Sequence, residues 1–183
     1  MDPEISSIIG EKMAQIHTLD VPISKEPTWL WDTMGKWLKN FKANENKATS
    51  PAGDADPQSP MARICGWQLD VEMEWMRQYL APLKSPVVFC HNDMQEGNIL
   101  IREKATTRED KLVIIDYEYC SYNYRGFDVA NHFCEPMYEY TLDKSPNFTA
   151  DHSNMPTLPQ QVNTVIAFII ITTLSLFQRM LYH

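Results

Sequence analysis

Apolar residues recur every three or four positions near the start of the chain. This spacing is typical of one face of an amphipathic helix, and Asp2 and Pro3 are residues that favour a helix N-terminus. We therefore predict a helix from about residue 3 to His17. Similar spacing over residues 29–41 and 64–83 predicts two further helices, whose apolar and aromatic sides we expect to form core. The apolar positions of the first helix are Ile5, Ile8, Ile9, Met13 and Ile16.

The pattern changes after Pro86 into short apolar runs separated by polar connections. The runs are VVFC at 87–90, NILI at 98–101 and LVIID at 112–116, and the polar stretch KATTREDK connects the last two. Short β-branched and aromatic runs bounded by polar turns predict strands. The expected fold class is α+β, mostly helical, with a small β-hairpin unit.

Two segments depart from the globular pattern. Residues 42–60 contain no large apolar side chain, which favours a flexible insertion loop within one domain of residues 1–161. Residues 165–177 are a 13-residue run of apolar and hydroxyl side chains, shorter than the roughly 20 residues of a membrane-spanning helix. We expect a buried helix or strand there. A tail anchor and an alternative C-terminus are the other readings.

Composition narrows the possible partners. The net charge is −8 and the sequence pI is about 5.0, and no segment is rich in Lys and Arg, which argues against nucleic-acid binding. The four cysteines form no CxxC pair, so we expect free thiols and no zinc site. The N-terminus has no secretory apolar region. These features together predict a cytoplasmic protein.

Two acids and an amide flank the predicted strands. Asp93 follows VVFC, Asn98 comes five residues later, and Asp116 ends LVIID. Transfer of a phosphoryl group from ATP needs an acid that orients and deprotonates the acceptor hydroxyl, and oxygen ligands for Mg²⁺. Asp93 suits the first role, and Asn98 with Asp116 suits the second. The alternative is that these residues are turn and cap residues with satisfied hydrogen bonds.

Longer motifs support a family assignment. HNDMQEGNIL, IIDYEY, SYNYRGFDVANHFCE and PMYEY resemble the choline/ethanolamine kinase family, and its choline kinases in particular. The resemblance implies part of the C-terminal lobe of a protein-kinase-like fold. It also implies transfer of the ATP γ-phosphate to the hydroxyl of choline or ethanolamine in phospholipid synthesis.

The resemblance also implies roles for individual residues. Asp93 matches the catalytic base, Asn98 and Asp116 match the metal ligands, and Gln95 matches a position near the nucleotide. The positions that match the choline pocket are Tyr119, Glu135 and Tyr140. Aromatic faces and a negative charge are what hold a quaternary ammonium.

Some neighbouring residues are expected to be structural. We predict that Arg125 and Asp128 pair to brace the loop. We expect His91 to hold the loop backbone and His132 to be packed or hydrogen-bonded.

The sequence also departs from the family pattern. No Gly-rich loop or strand-borne Lys precedes Asp93, no Trp follows Trp75, and residues 162–183 form a divergent hydrophobic segment. A kinase needs a phosphate-covering loop and a Lys, so we expect this chain alone to have little or no activity. One alternative is a non-catalytic partner of a full-length kinase in a dimer. Another is a phosphotransferase for a different small alcohol, and the choice between choline and ethanolamine stays open.

Overall fold

The chain divides into two compact units. We use a computed structural model that describes residues 2–48, 64, 66–140 and 148–181. One unit combines Met1–Pro27 with Pro86–His183, and the other is Thr28–Ser85. The predicted active-site residues all belong to the first unit.

Helix α1 spans Pro3–His17, as the apolar spacing predicts. The side chain of Asp2 caps it by accepting the N–H of Glu4 at 2.7 Å. Helix α5, Leu158–Leu181, packs along α1. The backbones approach closely at Gly10, where a Cβ atom would meet the carbonyl of Thr164 and lie 3.2 Å from the backbone N of Phe168.

The β structure consists of paired short strands. Strand β1 (Val87–Cys90) pairs antiparallel with β4 (Ser121–Tyr124), and β2 (Ile99–Ile101) pairs antiparallel with β3 (Leu112–Ile114). The three predicted strand segments are confirmed, and so is the polar connection at 104–111. Strand β4 was not predicted, because SYNY lacks an aliphatic run. A further short pair joins β5 (Tyr138–Glu139) to β6 (Thr149–Ala150).

The core of this unit lies where α1, α5 and the two strand pairs meet. Burying these apolar surfaces stabilises each element in proportion to the area removed from water. Helix α4, Arg125–Cys134, follows β4 directly. The buried core residues are Ile8, Ile9, Met13, Ala14, Ile16, Phe89, Met94, Leu112, Ile114, Tyr122 and Phe168.

The second unit contains helix α2 (Trp29–Ala48) and helix α3 (Leu69–Leu80). Trp31 is its buried tryptophan, and the Arg77 guanidinium lies 4.8 Å from the Trp31 ring. The expectation that the aromatic stripes are core is wrong for Trp37 and Trp75, which are 59% and 57% exposed.

The predicted flexible loop needs a correction. Residues 42–48 continue α2, while residues 49–60 lie outside the described residues. KANENKA contains no Gly or Pro and several good helix formers. A lack of apolar residues therefore did not prevent helix formation.

Helix α5 contains the apolar run of residues 165–177. By length and composition alone, Leu158–Ser175 is apolar enough to cross a membrane. One side of the helix is buried against α1, with Ala167 and Phe168 at 6% exposure. Ile169 and Ile170 on the other side are more than half exposed. Of the buried helix or strand expected there, the structure has a helix, and it is only half-buried.

Candidate active site

The loop after β1 brings the predicted base and one predicted metal ligand into contact. The side chain of Asn98 donates through Nδ2 to Asp93 Oδ2 at 2.9 Å and to the Asp93 carbonyl at 2.9 Å. Gln95 Nε2 donates to the same Asp93 Oδ2 at 3.1 Å. Within the described part of the chain, both side-chain bonds to the carboxylate end on Oδ2, so Oδ1 is left to accept a bond from a ligand. Asp93 is half-buried, and its orientation is held by two amides.

Asp116 is carried to the same place by the β2–β3 hairpin. The N–H of Ile115 donates to the Asn98 carbonyl at 3.0 Å, one step beyond the Ile99–Ile114 pair. Asp116 itself has a left-handed backbone, with φ 62°. A non-glycine residue in this region is uncommon and is often found at functional turns. The structure thus gathers Asp93, Asn98 and Asp116 at one end of the hairpin.

The donor atoms at this end fit a hard divalent cation. Both hydrogen bonds of the Asn98 amide are donated by Nδ2, which leaves Oδ1 as a ligand within the described residues. Asp116 is exposed and adds carboxylate oxygens. Mg²⁺ prefers oxygen ligands and usually takes only one or two from side chains, with water and phosphate filling the rest. The residues present fit Mg²⁺.

Helix α4 holds the backbone of this loop through one of its faces. Asp128 accepts the N–H of His91 at 2.8 Å and that of Asn92 at 2.7 Å. Asn131 Oδ1 accepts the N–H of Met94 at 2.6 Å, and His132 Nδ1 donates to the Met94 carbonyl at 3.1 Å. Residues three and four apart share a helix face, so one face fixes the backbone on both sides of Asp93.

Asp128 has a third partner that differs from the predicted one. His17 Nε2 donates to its carboxylate at 2.8 Å, and Asp128 is fully buried. The predicted Arg125–Asp128 pair is wrong: the Arg125 guanidinium lies 5.9 Å from the Phe168 ring. A carboxylate buried among N–H donors is satisfied by them, so it does not need the guanidinium.

The remaining loop contacts agree with structural roles. His91 is buried and donates through Nε2 to the carbonyl of Ile115 at 3.0 Å, which ties β1 to the Asp116 turn. Asn92 has a left-handed φ of 68° and donates through Nδ2 to the Tyr119 carbonyl at 2.9 Å. His91 and His132 are therefore structural, as expected. Burial lowers the pKa of His132.

Two of the three predicted ammonium-binding residues, Glu135 and Tyr140, are in contact just beyond the C-terminal end of α4. The hydroxyl of Tyr140 donates to Glu135 Oε2 at 3.2 Å, and Asn131 Nδ2 donates to Glu135 Oε1 at 3.1 Å. Burial raises the pKa of Glu135, and the negative charges of Asp93 and Glu96 raise it further. Glu135 is thus close enough to Asp93 to sense its charge. Tyr119 is exposed, at 41%, and the structure places its carbonyl beside the loop.

Among the residues that the structure describes, one other cluster has metal-ligating groups. His17, Cys90 and Asp128 place a nitrogen, a sulfur and a carboxylate oxygen within 4.8 Å of one another, all buried. The 2.8 Å separation of His17 Nε2 and Asp128 is a hydrogen bond. Burial and the Asp128 charge raise the pKa of the Cys90 thiol, which disfavours the thiolate that a metal binds. The cluster is best described as a hydrogen-bonded core.

Sequence reasoning missed His17 and Asn131. Both contacts are long-range, and nothing local in the sequence marks them. No helix was predicted over residues 125–134; had one been, the spacing of Asp128 and Asn131 would have placed both on one face.

Comparisons with known proteins agree with this geometry. The choline/ethanolamine kinase family model matches residues 1–173. The chain is 44% identical over 168 residues to choline kinase alpha of Mus musculus, covering 91% of the chain and 36% of that protein. It is 43% identical over 161 residues to choline/ethanolamine kinase of Rattus norvegicus, covering 88% of the chain and 38% of that protein. The chain therefore belongs to the choline/ethanolamine kinase family, a family of enzymes, and the resemblance is confirmed.

The fold is also shared with solved structures. A choline kinase from Cryptosporidium parvum Iowa II superposes with a TM-score of 0.67 at 23% identity, covering 93% of this chain and 49% of that one. A Plasmodium vivax ethanolamine kinase superposes with a TM-score of 0.65 at 20% identity. The predicted partial kinase-like α+β fold is confirmed. The chain spans less than two fifths of the length of the curated relatives above.

Proposed function

We propose that this chain carries the catalytic loop of an ATP-dependent choline or ethanolamine kinase. The observation that carries the proposal is the 2.9 Å bond between Asn98 Nδ2 and the Asp93 carboxylate, with Asp116 held beside them by the hairpin. The reaction moves the ATP γ-phosphate to the hydroxyl of a small amino alcohol. The product would be a phosphorylated headgroup for phospholipid synthesis. A cytoplasmic location is part of this proposal, because ATP is supplied there.

Asp93 acts as the base in this proposal. Oδ2 is held by Asn98 and Gln95, and Oδ1 accepts a bond from the substrate hydroxyl and aligns it with the phosphorus. The proton passes to Asp93 as the new O–P bond forms and the bond to the ADP oxygen breaks. General-base assistance of this kind contributes roughly 10²–10⁴-fold in rate.

Asn98 and Asp116 would hold Mg²⁺ through their side-chain oxygens. When bound, the ion would neutralise part of the negative charge of the phosphates. Gln95 donates to Asp93, and its proposed role is to help position the nucleotide.

The substrate ammonium is proposed to bind at Glu135. The C-terminal end of a helix favours a cation, and Glu135 follows the last residue of α4. Tyr140 is exposed and donates to Glu135, and Tyr119 is exposed in the turn after Asp116. Both can offer aromatic faces to a quaternary ammonium. Glu135 can serve choline or ethanolamine, and the tyrosines favour choline.

The first test replaces the aligned segment of mouse choline kinase alpha by this chain. In such a chimera the mouse protein supplies the segments that this chain does not cover. The site can therefore be tested even if the chain alone is inactive. We expect MgATP-dependent phosphocholine formation, and we expect Asp93→Asn to lower kcat by about 10²–10⁴-fold. Asp110→Asn, an exposed change in the same unit, is the matched control and should leave kcat unchanged.

Two results would overturn the proposal. An Asp93→Asn chimera that keeps most of its kcat would show that Asp93 is not the base. An inactive parent chimera, with co-purification of the 183-residue chain and a full-length kinase, would favour the non-catalytic partner. The chain tested alone with MgATP and choline is expected to show little turnover.

A further inference from the structure

We propose that Asn131 is a positioning residue that couples an ammonium group at Glu135 to the backbone beside Asp93. The inference rests on the proposed function, because it takes Glu135 as the cation site and Asp93 as the base. Asn131 is given no direct contact with the substrate. Its role is to make the loop geometry respond to occupancy of the cation site.

The contacts of Asn131 form a bridge with a defined direction. Its Oδ1 accepts the N–H of Met94 at 2.6 Å, and its Nδ2 donates to Glu135 Oε1 at 3.1 Å. A backbone N–H can only donate and a carboxylate can only accept, so these partners fix which amide atom faces which side. The N–H of Met94 belongs to the peptide bond that follows Asp93. The bridge therefore runs from the cation site to the main chain of the base.

The charged and polar groups around Glu135 make its environment sensitive to a bound cation. Asp93 and Glu96 place negative charge near Glu135, and the Tyr140 hydroxyl donates to its other oxygen. A bound ammonium would offset this repulsion and hold the Glu135 carboxylate in place. Hydrogen bonds to a charged acceptor are roughly twice as strong as neutral ones, and bonds in a chain polarise one another. Binding of an ammonium group at Glu135 should therefore strengthen the hydrogen bond from the Met94 N–H to Asn131.

An isosteric variant separates the two halves of the bridge. Asn131→Asp keeps an acceptor for the Met94 N–H but sets a carboxylate against Glu135, so the coupling should be lost. Glu135→Gln keeps the shape and an acceptor for Asn131 but removes the charge that the ammonium needs. Asn154→Asp, an exposed change at a turn, is the matched control.

The experiment measures amide hydrogen exchange at Met94 in the ¹⁵N-labelled full chain. The probe is choline, and 3,3-dimethylbutan-1-ol is its uncharged analogue of the same shape. We expect choline to slow exchange at Met94 by about fivefold, the effect of one strengthened hydrogen bond. The uncharged alcohol should have no such effect. The amide of Leu112, in the core, serves as the reference for global stability.

The outcomes separate the inference from the proposed function. If choline does not bind, or binds Glu135→Gln as well as the unmodified chain, the proposed cation site fails and the inference fails with it. If choline binds through Glu135 while Met94 exchange is unchanged, only the inference is overturned. It is also overturned if Asn131→Asp, with Leu112 still protected, responds as the unmodified chain does.

Discussion

Replacing Asp128 by Asn tests whether helix α4 holds the loop that follows β1. Asp128 is fully buried, and its carboxylate accepts from His17 Nε2 and from the N–H groups of His91 and Asn92. Asn retains one acceptor oxygen, so its amide NH₂ must face one of these donors. The loss of a charge-assisted bond and the unsatisfied donor together should cost about 3–5 kcal/mol. That is a large part of the roughly 5–15 kcal/mol by which a domain is stable.

The alternative reading predicts a much smaller effect. Asp128 also lies in the first turn of α4, where a carboxylate favoured only by the helix dipole contributes about 0.3–1 kcal/mol. The two readings differ by several kcal/mol, so a single substitution distinguishes them.

The assay must report on the correct unit of the chain. All five tryptophans lie within residues 28–85, so tryptophan fluorescence follows the other unit. Hydrogen exchange of the 87–94 backbone is the suitable readout. A loss of 3–5 kcal/mol corresponds to roughly two to three and a half orders of magnitude in protection. Protection within about fivefold of the unmodified chain, as expected for the exposed control Asp110→Asn, would refute the reasoning.

Three further changes test other parts of the structure. Gly10→Ala should destabilise the chain by about 1–3 kcal/mol in the same hydrogen-exchange assay, because the added Cβ would overlap the α5 backbone. Gly126→Ala is the control: its Cβ would meet no atom within 4 Å, so stability should be unchanged or higher. Burial lowers the pKa of His132 below 6.5, so the unfolded chain takes up the proton first and stability should fall as pH drops through that value. Replacing His132 by Gln should flatten this slope in denaturant titrations, and an unchanged slope would contradict the reasoning. Burial raises the pKa of Glu135, so choline binding followed by calorimetry should be full above that pKa and weaken as pH falls through it. Glu135→Gln should bind weakly at every pH.

Local patterns were enough to predict much of this fold. Helix α1 was predictable because its apolar spacing and Asp2–Pro3 start agree. The β2–β3 hairpin was predictable because aliphatic runs flank a polar connection. Strand β4 was missed because SYNY is held by its pairing with β1, a long-range contact without a local signal. The end of α2 was not predicted, because the lack of large apolar residues after position 41 was interpreted as a sign of a flexible loop.

The site was predictable to the extent that its residues come from one continuous loop. Asp93 and Asn98 had to converge over five residues, and they do. The partner of Asp128 was not predictable, because His17 is 111 positions away in the chain. Arg125 was the nearest cation in sequence, and proximity in sequence was the wrong guide for a buried carboxylate that backbone N–H groups already satisfy.

The face of α4 that holds the loop also fixes a distance along the helix axis. Asn131 accepts the Met94 N–H beside Asp93, and Glu135 is four residues further on, about 6 Å along the helix axis. Under the proposed function, the distance from the attacked hydroxyl to the ammonium would be set by the helix pitch. Deleting Phe133 would turn Glu135 by about 100° while Asp128, Asn131 and His132 keep their places. Acceptance of a longer amino alcohol would call for an acid moved by a whole turn, and a wider cavity alone would not provide it.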